Sequence, residues 1–208
     1  MSKHLVISRY EEDLKWLTEL VNLLEENEEI DYTILTPKED FKRNNKHYKK
    51  IEDTSGFEVF SFLSWIIDNY NNLPDLTVFL QGDPFDQLMN KDLYMTIRYC
   101  KRHIGYMPLG QPCQHYIDNN LRWTIEITNR MRIICKDLGL EFPRLPYLFP
   151  ISSQMILNKE MILSRSKEFY EDLRDYSSNP IDLWTEWRNG KSSYYCHAIE
   201  RLWSIIYA

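Results

Sequence analysis

Leu76-Thr77-Val78-Phe79-Leu80-Gln81-Gly82-Asp83-Pro84-Phe85 is the stretch that decides the fold class. Residues 76–80 are apolar or β-branched without a polar face, so the strand they predict is covered on both sides and lies inside a sheet. The run stops at Gln81-Gly82-Asp83-Pro84, residue types that break a strand. Working outward, His4 to Ser8 (HLVIS) predicts a buried strand, and Leu14, Leu17, Val21 and Leu24 form a helical stripe after Glu11, Glu12 and Asp13. Those three acids are expected in the first helical turn, against the positive end of the helix dipole. Asp31 to Thr36 (DYTILT) predicts a second strand, closed by Pro37. Strand, helix and strand in under forty residues is the pattern of a parallel α/β unit.

Residues 38–56 are polar, with a basic run over 42–50, and predict a surface loop. Thr54-Ser55-Gly56 offers a helix start before Phe57 to Tyr70. A helix is expected from about Pro84 to Lys101, with proline in its first turn. His103 to Ile117 is irregular and predicts short edge strands. Leu121 to Leu138 predicts a helix closed by Gly139. Ser152 to Leu157 suits a strand, 159–164 and 166–176 short helices, and Tyr195, Ile199, Leu202, Trp203 and Ile206 the buried face of a last helix. The expected architecture is one α/β domain over residues 1–208, with a central mixed, mostly parallel sheet flanked by helices. Its two halves cover about 1–100 and about 101–208.

A net charge of −6 gives no basis for general affinity to nucleic acid or anionic membranes, so any phosphate binding must be local. Cys100, Cys113, Cys135 and Cys196 show neither CxxC pairing nor metal-ligand spacing, which points to a reducing compartment and a cytoplasmic protein. No apolar stretch approaches the roughly 18 residues of a membrane span. With 14 Tyr, 9 Phe and 6 Trp, the rings suit both a core and flat platforms for sugars or bases. GxGxxG, GxxxxGK[ST], HExxH and GxSxG are absent, which removes the simplest dehydrogenase, NTPase, zinc-protease and hydrolase readings.

Ligands of open α/β sheets bind outside the carboxyl ends of the strands. Gln81 and Asp83 stand at such an end, with Gly82 permitting close approach to the backbone. Asp83 suits a hard divalent cation holding a diphosphate, or equally the cap of a helix opened by Pro84. Arg9 can contact a diphosphate or base, or pair with Glu11 or Glu12, and Tyr10 can belong to the core. On the last helix His197, Glu200, Arg201 and Ser204 share one polar face, either the solvated side or part of a site. The 42–50 run is a solvated loop or a guide for an anionic donor.

VISRYEEDLKWL (6–17) resembles the opening strand and loop of the GT-A glycosyltransferase fold, where a Ser/Thr-x-Tyr turn receives the uracil. QGD (81–83) stands where that fold carries Asp-x-Asp. SRYEEDLKWL (8–17), FLSWIIDNYNNLPDLTVFLQGDPF (62–85) and ERLWSIIY (200–207), in that order, resemble a family of glycosyltransferase-like proteins. The resemblance implies that Ser8, Arg9 and Tyr10 lie against the nucleotide and Thr36 near the ribose. It places Gln81 and Gly82 near ribose or phosphate, and Asp83 on the metal. It also suggests His197 as a further metal ligand and Ser152-Ser153-Gln154 as a segment facing the acceptor. Gln81 replaces the first acid of the motif, and Thr36 stands where an acidic residue is common.

The resemblance makes about 1–100 the nucleotide-binding half and about 101–208 the acceptor-side half, and the implied activity is a metal-dependent, hexosyltransferase-like glycosyltransferase with Mn²⁺ or Mg²⁺ and a UDP-sugar donor. Its acceptor would be a glycan or glycoprotein, with a viral capsid glycan one candidate. That setting would be the host-cell cytoplasm, and the chain could be one domain of a longer polypeptide. Asp75, Asp86, Asp118, Glu126 and Glu200 are all open as the base, with Asp86 expected one helical turn past Asp83 and Glu200 on the last helix. The alternative is a non-catalytic nucleotide- or glycan-binding module of the same fold. A nucleotidyltransferase and a structural capsid-associated protein are further readings.

Overall fold

The computed structural model describes residues 1–25, 30–37, 46–51, 56–101, 103–118, 121–179, 183–184 and 192–208. The chain runs β1 (Lys3–Ser8), α1 (Lys15–Glu25), β2 (Ile30–Thr36), β3 (Tyr48–Lys50), α2 (Phe57–Asn69), β4 (Leu76–Gln81) and α3 (Leu93–Tyr99). It continues with β5 (Tyr106–Pro108), β6 (Pro112–His115), α4 (Arg122–Asp137), β7 (Tyr147–Pro150), β8 (Met155–Asn158), α5 (Lys159–Leu163) and α6 (Lys167–Ser177). β9 (Leu183–Trp184), β10 (Ser192–Ser193) and α7 (Tyr194–Ile206) close it.

The main sheet has six strands in the order β3-β2-β1-β4-β8-β5. β4 is interior, as its unbroken apolar run predicts, and Leu76, Thr77, Phe79 and Leu80 are all 0% exposed. Alternating side chains divide between two cores. Val6, Phe79, Met155 and Leu157 meet α2, α4, α6 and α7 through residues such as Phe62, Ile66, Ile127, Leu173, Ile199 and Trp203. Leu5, Ile7, Val78, Leu80 and Ile156 meet Leu17, Leu20 and Leu24 of α1 and Ile97 of α3 on the other face. No helix among the described residues is long and apolar enough to cross a membrane.

Several expectations are corrected. The central sheet is mixed rather than mostly parallel: β1–β2, β1–β4 and β2–β3 pair parallel, whereas β4–β8 and β5–β8 pair antiparallel, and β6–β7 and β9–β10 form two separate antiparallel pairs. The second half of the chain returns by antiparallel pairing rather than by crossover. Glu11, Glu12 and Asp13 precede α1 instead of forming its first turn, and the Asp13 carboxylate accepts the Lys15 N–H at 3.0 Å. The loop expected over 38–56 contains β3, added to the β2 edge. Residues 42–45 of the basic run, and Thr54 and Ser55, lie outside the described residues. The strand expected over 152–157 begins only at Met155.

No helix starts at Pro84. Residues 84–92 are held instead against 109–111, by Met89 N–H to Leu109 O (2.9 Å), Gln111 N–H to Gln87 O (3.0 Å) and a bridge between Leu88 and Gly110. Helix α3 waits for Asp92, whose carboxylate caps the Met95 N–H at 2.9 Å. Replacing Asp92 with alanine should therefore cost about 1 kcal/mol in urea unfolding, the usual loss of an N-cap. A helix running through residue 92 from Pro84 would instead make alanine neutral or stabilising there.

Candidate functional site

The site is built on strands that end together. Ser8, the last residue of β1, pairs with Leu35 on one side and with Gln81, the last residue of β4, on the other. The carboxyl ends of β1, β2 and β4 are thus flush, and the chain leaves each of them at one edge of the sheet.

At the β1 end, the Ser8 hydroxyl donates to Ser61 Oγ of α2 at 3.0 Å. The Arg9 N–H extends the ladder to Leu35 O at 2.9 Å, and Arg9 Nε donates to the backbone carbonyl of Glu12 at 2.9 Å. Arg9 therefore meets Glu12 through the main-chain carbonyl. Tyr10 is half-buried, and its N–H donates to Glu12 Oε2 at 2.7 Å. Thr36 is 0% exposed, so its side chain packs under the edge.

At the β4 end, Gln81 Nε2 donates to Glu58 Oε1 in the first turn of α2 at 2.9 Å, and its N–H donates to Gln154 Oε1 at 3.3 Å. Gln154 Nε2 donates to Pro84 O at 3.1 Å. Gly82 is buried, and its carbonyl accepts the Trp16 indole N–H at 2.8 Å. Asp83 comes next and is exposed, with no hydrogen bond or ion pair among the described residues. Asp86 is also exposed, but it occupies a non-helical turn, so it does not sit one helical turn beyond Asp83.

The last helix reaches this region through residues 152–154. Glu200 Oε1 accepts the Ser152 N–H at 3.4 Å, and residue 154 of the same segment holds Gln81 and Pro84. Ser152 adopts a left-handed φ of 73°, a conformation that costs a non-glycine residue about 1–3 kcal/mol and often marks functional sites. Ser152, Ser153 and Gln154 are all buried, so the segment expected to face an acceptor lies beneath the surface and supports the edge from below.

Glu200 has a side chain only 14% exposed, and burial pushes its carboxyl up to about 7. The Arg201 guanidinium, 4.0 Å away, and the Ser152 N–H pull it back down, while the neighbouring Glu58 pushes it further up. His197 Nδ1 lies 4.0 Å from Glu200 Oε2, and the Arg201 guanidinium donates to His197 O and stacks on the Phe149 ring. Among the other carboxylates once open as bases, Glu126 is paired with Arg122 and Arg130, and Asp75 accepts from Ser2.

Ser8, Arg9, Tyr10, Gln81, Gly82 and Asp83 are therefore brought to one edge, with Glu200 and its neighbour His197 tied to it through residues 152–154. No group of three or more His, Cys, Asp or Glu gathers to hold a metal among the described residues. A lone exposed carboxylate still fits Mg²⁺ or Mn²⁺ shared with a ligand's diphosphate, because such ions keep waters and need only one or two protein carboxylates. Glu12, Trp16 and Glu58 were not singled out from the sequence as parts of a site. The available signal was Gly82, since a glycine at a strand tip implies that something approaches it closely.

The fold is that of an α/β protein whose parallel strands β1, β2 and β4 end at one edge of a mixed sheet. The chain belongs to the family described as "Protein of unknown function (DUF3431)", whose profile matches residues 5–126. That span carries the β1 and β4 ends, while Glu200 and His197 lie beyond it. No curated protein matches the chain.

The sign of the Glu200 titration gives a test. A carboxyl raised from 4.5 to about 7 in the folded state stabilises the protein below pH 4.5, and that contribution is lost as pH rises through about 7. Glu200→Gln, which carries no titrating proton, should gain stability relative to wild type between pH 5 and pH 8, by up to roughly 3 kcal/mol in urea unfolding. A difference that stays constant with pH would mean that Glu200 titrates normally.

Proposed function

We propose that the protein is a nucleotide-sugar-dependent glycosyltransferase of GT-A-like architecture, using a UDP-sugar and a divalent cation, Mn²⁺ or Mg²⁺. The acceptor would be a glycan or glycoprotein. The observation that carries this reading is the exposed, unengaged Asp83 at the flush ends of β1 and β4, beside the Ser8-Arg9-Tyr10 turn. A cytoplasmic setting belongs to the same proposal and is in keeping with four free cysteines.

In this reading Asp83 would hold the cation, which supplies charge neutralisation for the departing diphosphate. Arg9, fixed through its Nε on the Glu12 carbonyl, directs positive charge to the same edge. Tyr10 offers its ring to the base, and Gly82, buried against Glu12 and Trp16, sets the backbone that presents Asp83 near ribose or phosphate. Gln81, pinned by Glu58 and Gln154, keeps that tip in place.

Glu200 is the favoured base, because burial outweighs the Arg201 guanidinium 4.0 Å away and holds its carboxyl near 7, matched to accept a proton. In a direct displacement the acceptor oxygen bonds to the anomeric carbon as the bond to the phosphate oxygen breaks. Uridine diphosphate leaves with the electron pair, and the acceptor's proton passes to Glu200. Asp86 is a second, solvent-facing candidate, and His197 would serve by orienting the Glu200 carboxylate.

Calorimetric titration with UDP, GDP and CMP, each with and without Mn²⁺, tests this reading. UDP alone should bind, only with the metal, and Asp83→Asn should weaken it at least tenfold while the melting temperature holds. Equal binding without metal, or unchanged binding by the variant, would remove Asp83 from the site. With donor and acceptor present, turnover should rise with pH through about 7 and fall about 100-fold or more in Glu200→Gln, the usual range for a lost general base. UDP binding with neither transfer nor donor hydrolysis would identify a binding module instead.

A further inference from the structure

Glu12 stands out among the side chains that this mechanism leaves unused. Its carboxylate turns back along the chain, and Oε2 accepts both the Tyr10 N–H at 2.7 Å and the Glu11 N–H at 3.1 Å. Two consecutive amides converging on one anionic oxygen form a charge-assisted clasp that fixes the local backbone. The Glu12 carbonyl meanwhile accepts Arg9 Nε at 2.9 Å. One residue thus orders Arg9, Tyr10 and Glu11 together.

The same carboxylate lies against the β4 tip. A Cβ added at Gly82 would fall 2.6 Å from Glu12 Oε2, 2.9 Å from its Cδ and 3.0 Å from its Cβ. These contacts leave no room for a side chain at position 82 unless Glu12 moves. Trp16 holds the other side of that glycine, its indole N–H on Gly82 O at 2.8 Å and its ring edge-on to Phe85 at 5.8 Å. Gly82 is therefore gripped between Glu12 and Trp16, and Asp83 is its immediate neighbour.

We propose that Glu12 is the positioning residue of the nucleotide site, locking the Arg9–Glu11 turn against Gly82 so that turn and strand tip meet a nucleoside diphosphate as one preorganised surface. The role rests on the nucleotide-sugar reading above, which assigns the base to the turn and the diphosphate to the tip. Glu12 acts through its neighbours: its Oε2 holds the amides of residues 10 and 11, a role that needs no contact with the ligand. Preorganisation improves affinity by removing the ordering that binding would otherwise have to supply. The glycine in Gln81-Gly82-Asp83 has its reason here as well, as the space that the Glu12 carboxylate occupies.

The test is a double-mutant cycle on UDP affinity in Mn²⁺, using Glu12→Ala, Gly82→Ala and the pair together. Titrations are run at a temperature where circular dichroism shows every variant folded, which separates positioning from loss of fold. Each single variant should weaken UDP at least tenfold. The double variant should be no more than about twofold worse than Glu12→Ala, because removing the carboxylate vacates the space that a Cβ at 82 needs. Wild-type affinity in both single variants, or effects that simply multiply, would overturn the positioning role while leaving the nucleotide site intact. Absence of UDP binding by the wild type would defeat the nucleotide reading and the positioning role together. Should Glu12→Ala fail to fold, Glu12→Gln keeps the shape and removes the charge. It should weaken UDP at least threefold, and an unchanged affinity would overturn the proposal.

Discussion

The parallel pairing of β1 with β4, from Lys3 opposite Leu76 to Ser8 opposite Gln81, is the constraint on which the molecule is organised. Parallel strands in register point their carboxyl ends the same way, and equal length makes those ends finish at one level. Burial on both faces by two separate cores prevents slippage, since a shift of one residue would exchange the side chains of the two faces. The chain exits from Ser8 and Gln81 thus become neighbours, and the residues that follow share an edge because the ladder beneath them permits no other alignment.

That edge rests on polar groups that the interior must satisfy. Gln81 reaches Glu58, Gln154 reaches both Gln81 and Pro84, and Ser152 reaches Glu200. Buried polar networks are favourable when their members are paired and costly otherwise. The 152–154 segment carries the contacts of Ser152 and Gln154 by an unusual route, with Ser152 in a left-handed conformation and Gly110 pressed so closely on Ile151 that a Cβ would fall 1.7 Å from its carbonyl oxygen. Strain and close approach both occur where α7 is joined to the β4 end. The local backbone is therefore shaped by the connection between these elements rather than by its own preferences.

The same division explains which parts of the structure could be read from the sequence. Strands β1, β2 and β4 and helices α2, α4 and α7 are encoded by local periodicity, and the expected strands and helices fall on them within a few residues. The start of α3 is not encoded locally, because Pro84 suits a helical first turn and only the pairing of 87–89 with 109–111 excludes one. Glu12 shows the same limit at the site. In the run Glu11-Glu12-Asp13 all three acids fit a helix start equally well, and only proximity to Gly82, some seventy residues away, singles out one of them. Glu200 was visible as a polar residue on a mostly apolar helix, but its raised carboxyl depends on burial and on Glu58 from another helix. Residue types at strand ends were legible, whereas the nonlocal contacts that give them their chemistry were not.

Gln81 shows how these contacts bear on residue identity. An acid at this position would place a third carboxylate beside Glu58, whose Oε1 the Gln81 amide now meets at 2.9 Å, and close to the network of Glu200. Glu58 already pushes Glu200 up. A further negative charge in that partly buried space would raise the carboxyls again and take the Gln81 N–H away from Glu58. The amide avoids the repulsion and donates an N–H to Glu58, so glutamine at 81 suits the acids below the edge. Asp83, beyond Gly82 and exposed, is the first position past the strand tip where a full negative charge can stand in water at little cost. A carboxylate available to a ligand therefore falls there rather than within the strand.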